Sequence, residues 1–219
     1  MPPRPESELD SVTLHNMALL NMEREPANGF EKLHFLLEAN PCPPETFGNL
    51  LLLYIQHEHY GFAADMLAQY PQAAFELLDP ADRAFIDAVL LKQGSAEESY
   101  KKLDEMAIHV IESLRELTRK VQLARQSQDN DAIKSAIADY DLCMERYVPL
   151  VMAQGKIYWD LEQYATVEKI LRRSIEFCSD QDTWKLNLAH VLFMQEKYRD
   201  AIEFYEPNVH QKLDNVSSF

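Results

Sequence analysis

The sequence predicts an all-α chain, a superhelical solenoid of stacked helical pairs with one long antiparallel hairpin inserted. Three observations predict it. Only 5 of the 219 residues are glycine, which leaves little material for tight β-turns or phosphate-cradling loops. Prolines at 26, 41, 43, 44, 71 and 80 divide residues 11–80 into pieces of about one helix each, and no further proline occurs until Pro149. Finally, small, aromatic and slim side chains recur in one order at a fixed interval.

Taken in order, residues 1–10 (MPPRPESELD) are rich in proline and lack apolar periodicity, as expected of a flexible lead-in. Residues 11–80 hold two repeats. The first has Leu14, Met17 and Ala18 on its helix A and Phe30, Leu33, Leu36 and Leu37 on its helix B. The second is centred on LLLLYIQHEHYGFAADML. Residues 81–147 read as a degenerate repeat. An amphipathic helix carries Phe85, Ile86, Val89 and Leu90, and a helix of about thirty residues then starts near Ala96. Its apolar stripe is Leu103, Ala107, Val110, Leu114, Leu117, Val121 and Ala124, a heptad seam. After Gln128, either Asp129 or Asn130 caps a second arm with Ile133, Ile137, Tyr140, Met144 and Tyr147. The hairpin reads as a projecting arm or clasp; the alternative is an oversized repeat covering core. Residues 148–215 hold two more repeats, and 216–219 form a truncated end.

The repeat register rests on QGKIYWDLEQYATVEKIL (154–171) and LAHVLFMQEKYRDAIEFY (188–205), which superpose at an offset of 34 residues, the tetratricopeptide period. Gly155 and Ala189 are the small residues that let helix A approach helix B. Tyr164 and Tyr198 plug the corner between them, as Tyr60 does earlier. Val167 and Ala201, with Ala63, open helix B to its partner. One such pair cannot bury its apolar faces alone, so neighbours stack. With Tyr54, Tyr158 and Leu192 on the core side, Ile55, Trp159 and Phe193 turn toward the inner face of helix A. Leu52, Lys156 and His190 lie a turn earlier, with Asn49 and Asn187 beyond and Met152 and Leu186 flanking. This wall suits an extended segment with apolar side chains whose backbone meets the two asparagines. In the alternative, Trp159 and Phe193 pack against their own neighbouring repeats.

Lys+Arg 21 against Asp+Glu 36 gives a formal charge of −15, which argues against nucleic acid and anionic membranes as partners. No basic-then-apolar leader follows Met1, and the apolar run Leu50–Ile55 is too short to span a bilayer. Cys42, Cys143 and Cys178 are far apart and match no disulfide framework or zinc spacing, as expected in a reducing compartment. His57 and His59 are two residues apart and point to different sides of a helix, so a metal site there is not expected. No nucleotide, hydrolase or metalloprotease motif occurs, so neither catalysis nor a cofactor is expected. RELTRK at 115–120 reads as a solvated basic face. A carboxylate-clamp chaperone adaptor would need converging cations, and only Lys156 and, less well placed, Lys185 offer themselves.

FEKLHFLLEANPCPPETFGNLLLLY (30–54), MAQGKIYWDLEQYATVEKILRRSIEFC (152–178) and WKLNLAHVLFMQEKYRDAIEFYEP (184–207) closely resemble the tetratricopeptide repeat protein 30, or intraflagellar transport protein 70, family. The resemblance runs from about Leu9 to Asn215 and includes the hairpin; the ending KLDNVSSF departs from it, as in a portion of a longer protein. It implies a non-enzymatic subunit of intraflagellar transport complex B, working in the cilium and in the cytoplasm near the basal body. The implied partners are a segment of intraflagellar transport protein 52, around which the repeats wind, and other complex B subunits. The implied processes are anterograde transport and tubulin polyglutamylation. A regulatory subunit of a tubulin-modifying enzyme and a chaperone-type adaptor are the alternatives.

Overall fold

The computed structural model describes residues 9–22, 24–39 and 42–206, in which helices alternate with short connections and no strand occurs. The lead-in expected before Leu9 and the end expected at 216–219 lie outside the described residues. The chain divides between Gln93 and Gly94 into two compact units.

Unit 1 contains α1 (Ser11–Asn21), α2 (Pro26–Glu38), α3 (Glu45–Gln56), α4 (Tyr60–Gln69), α5 (Pro71–Leu77) and α6 (Pro80–Leu90), followed by a 3-10 turn at Leu91–Gln93. Prolines start α2, α5 and α6, where the missing N–H costs nothing. Asp10 caps α1 by accepting from the Thr13 amide at 2.9 Å, and Asp79 caps α6 through the Ala81 amide at 2.8 Å. Helix α1 packs on α2, α2 on α3, and α3 on α4, α5 and α6. The resulting core is Ala18, Leu33, Phe47, Leu50, Leu51, Tyr54, Ala63, Met66 and Ile86. Gly29 on α2 lets α1 come close, because a Cβ there would stand 3.0 Å from the Ala18 carbonyl oxygen and 2.2 Å from Met22 Sδ.

Unit 2 is built around α7 (Ala96–Ser127) and α8 (Asn130–Asp160), followed by α9 (Tyr164–Arg173), α10 (Ile175–Cys178), α11 (Asp182–Met194) and a helical stretch over 198–206. Ser95 caps α7 by accepting from the Glu98 amide at 3.2 Å, and Asp129 caps α8 through the amides of Asp131 and Ala132, both at 3.1 Å. The expected seam closes the hairpin: Leu103, Ala107, Leu114 and Met144 are buried, while Ile137 near the tip is exposed. Two boundaries differ from the sequence expectation. Helix α6 belongs to unit 1, and the division at 147/148 falls inside α8, which runs unbroken through Pro149. Pro149 removes one N–H and crowds the carbonyl of Glu145, and both residues are exposed. The arm and the next helix A are therefore one helix.

Candidate functional site

Three helix-to-helix corners share one geometry. Glu58, Glu162 and Glu196 sit at φ 60°, 56° and 62°, each two residues before a corner tyrosine. At each corner the left-handed residue donates its amide to a carbonyl three residues back: Glu58 to Ile55 (3.1 Å), Glu162 to Trp159 (2.9 Å) and Glu196 to Phe193 (2.9 Å). The following residue donates five back: His59 to Tyr54 (2.7 Å), Gln163 to Tyr158 (2.9 Å) and Lys197 to Leu192 (3.0 Å). These are Schellman closures, which satisfy the last helical carbonyls. They set the angle at which each helix A face meets its helix B.

The small-residue positions lie where helices touch. Gly155 is buried and a Cβ on it would meet Val167 Cγ1 at 3.6 Å. Ala63, Val167, Ala189 and Ala201 are all buried. The corner tyrosines differ: Tyr60 and Tyr164 are half-buried, whereas Tyr198 is exposed. Trp159 packs edge-on against Tyr164 at 5.1 Å, and 34 residues later Phe193 does the same against Tyr198 at 5.4 Å. Each of these aromatics thus rests on the tyrosine of its own corner; Trp159 is half-buried and Phe193 is 53% exposed.

In unit 1, Leu52 is exposed and Ile55 half-buried on α3. Asn49, expected to meet a partner's backbone, donates from Nδ2 to His15 Nε2 at 3.1 Å, while Thr46 Oγ1 lies 3.0 Å from Nδ1 of the same ring. Since Nε2 accepts, Nδ1 carries the proton and the buried imidazole is neutral; burial pushes its pKa below the ordinary value, with the Glu45 charge opposing. In unit 2, Asn187 Nδ2 is likewise engaged, donating to the Thr183 carbonyl at 2.8 Å and contacting Met152 Sδ at 3.4 Å. Leu186 is half-buried, and the exposed His190 ring lies 5.5 Å from Tyr205. Lys156 pairs with Asp160 at 2.8 Å and Lys185 with Asp182 at 3.7 Å. The two cations of the clamp alternative are thus held by acids of their own helices.

Three residues that the sequence reading passed over hold the helices in place. Trp184 is buried and donates from Nε1 to the Leu171 carbonyl (3.0 Å) and to Ser174 Oγ (2.9 Å). It stands 34 residues after Leu150, also buried, so the repeat register was the signal available for it. Glu168 on α9 accepts from Arg172 (2.7 Å), Lys197 (2.6 Å) and Gln195 (2.9 Å), tying α9 to the corner after α11. Burial alone would raise its pKa, but those three donors outweigh it and hold the carboxyl at about 2. Asp104 on α7 accepts from Gln154 at 3.0 Å and from Arg173, which joins α7, α8 and α9. No signal in the sequence links these last partners, which lie 50 and 69 residues apart.

Among the described residues no group of three or more His, Cys, Asp or Glu is placed to hold a metal ion, and no helix is long and apolar enough to cross a membrane. The three cysteines are free, and burial pushes the Cys143 and Cys178 thiols up, away from reactive thiolate. The site can therefore offer a contact face: aromatic and aliphatic groups at repeat spacing on helix A, with rigid corners behind them.

A family model described as the intraflagellar transport protein 70 C-terminal domain matches residues 46–219. Human intraflagellar transport protein 70A is 56% identical over 217 residues, covering 99% of this chain and 33% of its own length. Human intraflagellar transport protein 70B is 57% identical over the same number of residues and with the same coverage. The 70B protein of Rattus norvegicus is 56% identical over 219 residues, 100% of this chain and 33% of its own length. The chain thus spans about a third of the length of these curated relatives.

Proposed function

The chain belongs to the intraflagellar transport protein 70 family, and from that premise we propose that it is a non-enzymatic scaffold of the ciliary transport machinery that holds a segment of a partner chain against the inner faces of its A helices. The partner is a segment of intraflagellar transport protein 52, within complex B and in contact with its other subunits. The work served is cilium assembly and anterograde transport, with a link to tubulin polyglutamylation, in the cilium and in the cytoplasm around the basal body. In unit 2 the wall is Met152, Lys156, Trp159, Leu186, Asn187, His190 and Phe193; in unit 1 the matching positions on α3 are Asn49, Leu52 and Ile55.

The observation that carries this reading is the pair of aromatics Trp159 and Phe193, one repeat apart, each braced by its corner tyrosine, with Trp159 half-buried and Phe193 exposed. Braced aromatics lose little side-chain entropy on binding and are the residue type that dominates interface energies. The test is binding of a labelled peptide from the partner segment to the chain and to its Trp159→Ala and Phe193→Ala variants. Each loss is expected to cost about 2 kcal/mol, roughly a thirtyfold weakening. Unchanged affinity in both variants, with their circular dichroism intact, removes the assignment.

A further inference from the structure

Residues 113–128 of α7, with Gln128 as its cap (SLRELTRKVQLARQSQ), hold Arg115, Arg119, Lys120 and Arg125 against the single acid Glu116, a net of +3 in a chain of formal charge −15. Arg115, Arg119 and Leu123 follow at steps of four and share one stripe, which lies away from the Leu114, Leu117, Val121 and Ala124 seam that faces α8. Arg119 and Lys120 are exposed, and Leu123 is 64% exposed between cations. Arg115 demonstrates what the stripe accepts, since its Nε and Nη2 hold the Glu176 carboxylate at 3.3 and 2.9 Å. One turn on, no carboxylate of the described residues pairs with Arg119 or Lys120. The polar ties of α7 to α9 and α10 lie at Asp104 and Arg115, and Arg119, Lys120 and Leu123 beyond them are exposed.

We propose that this stripe of α7 is a second docking surface, for an acidic amphipathic segment of a partner protein that sets carboxylates on Arg119 and Lys120 and an aliphatic side chain on Leu123. The choice of occupant follows from charge. At physiological salt the field of other groups fades within about 8 Å, so a narrow segment on the stripe meets the local positive charge. A broad anionic bilayer would bring the remaining acidic surface close as well, which opposes it. The surface is separate from the A-helix wall, and its test does not depend on that reading.

The experiment is fluorescence anisotropy of the whole chain with a labelled helical peptide of Glu and Leu, beside its Gln-for-Glu counterpart, at about 50 and about 150 mM salt. The Glu peptide is expected to bind, and more weakly at the higher salt. The double variant Arg119→Glu with Lys120→Glu should bind about tenfold or more weakly, and Leu123→Ser a few-fold more weakly. All three positions are exposed, so unchanged helicity and melting temperature should accompany the loss. Equal binding of the Gln peptide, or of the charge-reversed variant, overturns the proposal. So does sedimentation with vesicles of phosphatidylserine and phosphatidylcholine in roughly equal amounts when the Glu peptide does not bind.

Discussion

Unit 1 uses helices of 7 to 13 residues, while unit 2 is organised around two of 32 and 31. The fastenings differ in kind as well. Unit 1 is joined largely through rings: the His15, Thr46 and Asn49 cluster between α1 and α3, stacked rings such as Phe30 on Tyr54 at 5.0 Å, and the cations Arg83 and Lys92 over the rings of Phe75 and Tyr60 at 5.2 and 5.5 Å. Unit 2 is stitched by charge-assisted bonds, Arg115 to Glu176, Arg173 to Asp104, and Lys197 and Arg172 to Glu168. Short helices between prolines place their ends close together, where rings and amides can meet. Long helices instead present whole faces to partners distant in sequence, and long charged side chains bridge them. One repeat pattern is thus stabilised in two ways, with different weak points.

A core substitution in unit 2 should separate the two units most clearly. Trp184→Ala leaves a cavity and removes the indole N–H bonds to the Ser174 hydroxyl and the Leu171 carbonyl, which still bond to each other at 2.7 Å, and should cost about 3–5 kcal/mol. Hydrogen exchange followed by mass spectrometry should show faster exchange through α9 and α11 with α1–α4 unchanged. Uniform acceleration across both units would mean that they unfold as one, which would undo the comparison. A smaller effect is expected from Gly29→Ala in unit 1. The added Cβ meets Met22 Sδ and the Ala18 carbonyl; overpacking of roughly 1–3 kcal/mol is offset by about 1 kcal/mol of helix propensity. A net loss of about 1 kcal/mol, confined to the α1–α2 amides, should appear in denaturant titrations read by exchange. A gain in stability would show that α1 slides at no cost.

Acid should sharpen the contrast by order rather than by size. The folded-state pKa of His15 lies below its ordinary 6.5, so its contribution is complete above that value and declines as pH falls through the window beneath it. Glu168 is held at about 2 against an ordinary 4.5, so its contribution is complete above 4.5 and is lost between there and about 2. Protection of α1 should therefore fall before that of α9 when amide exchange, corrected for intrinsic rates, is followed downward from neutral pH. His15→Gln should abolish the first step and leave the second. Simultaneous loss in both helices would contradict the assignment of the two groups.

Trp159 and Phe193 were legible as a matched pair from the 34-residue offset alone, and the hairpin arms from their alternating steps of four and three. Asn49 was not. A side chain on the expected inner face was drawn to His15, a ring whose position depends on how α1 lies against α3. Pro149 misled for a related reason: proline's cost is local, whereas the packing of α7 along α8 outweighs it over many residues. The same limit applies to RELTRK, where only the fold could separate Arg115, spent on Glu176, from Arg119.

Legible in the chain alone were the helical class, the repeat interval, the cap at Asp129 or Asn130, and the small residues on which close packing depends. Each of these follows from the backbone and side-chain preferences of residues near one another in the chain. Tertiary structure alone decided that α8 continues through its proline, that Glu168 and Asp104 become tie points, and which basic groups remain without a carboxylate. These outcomes depend on partners 27 to 69 residues away, and a distant side chain acts only after the helices have been brought together.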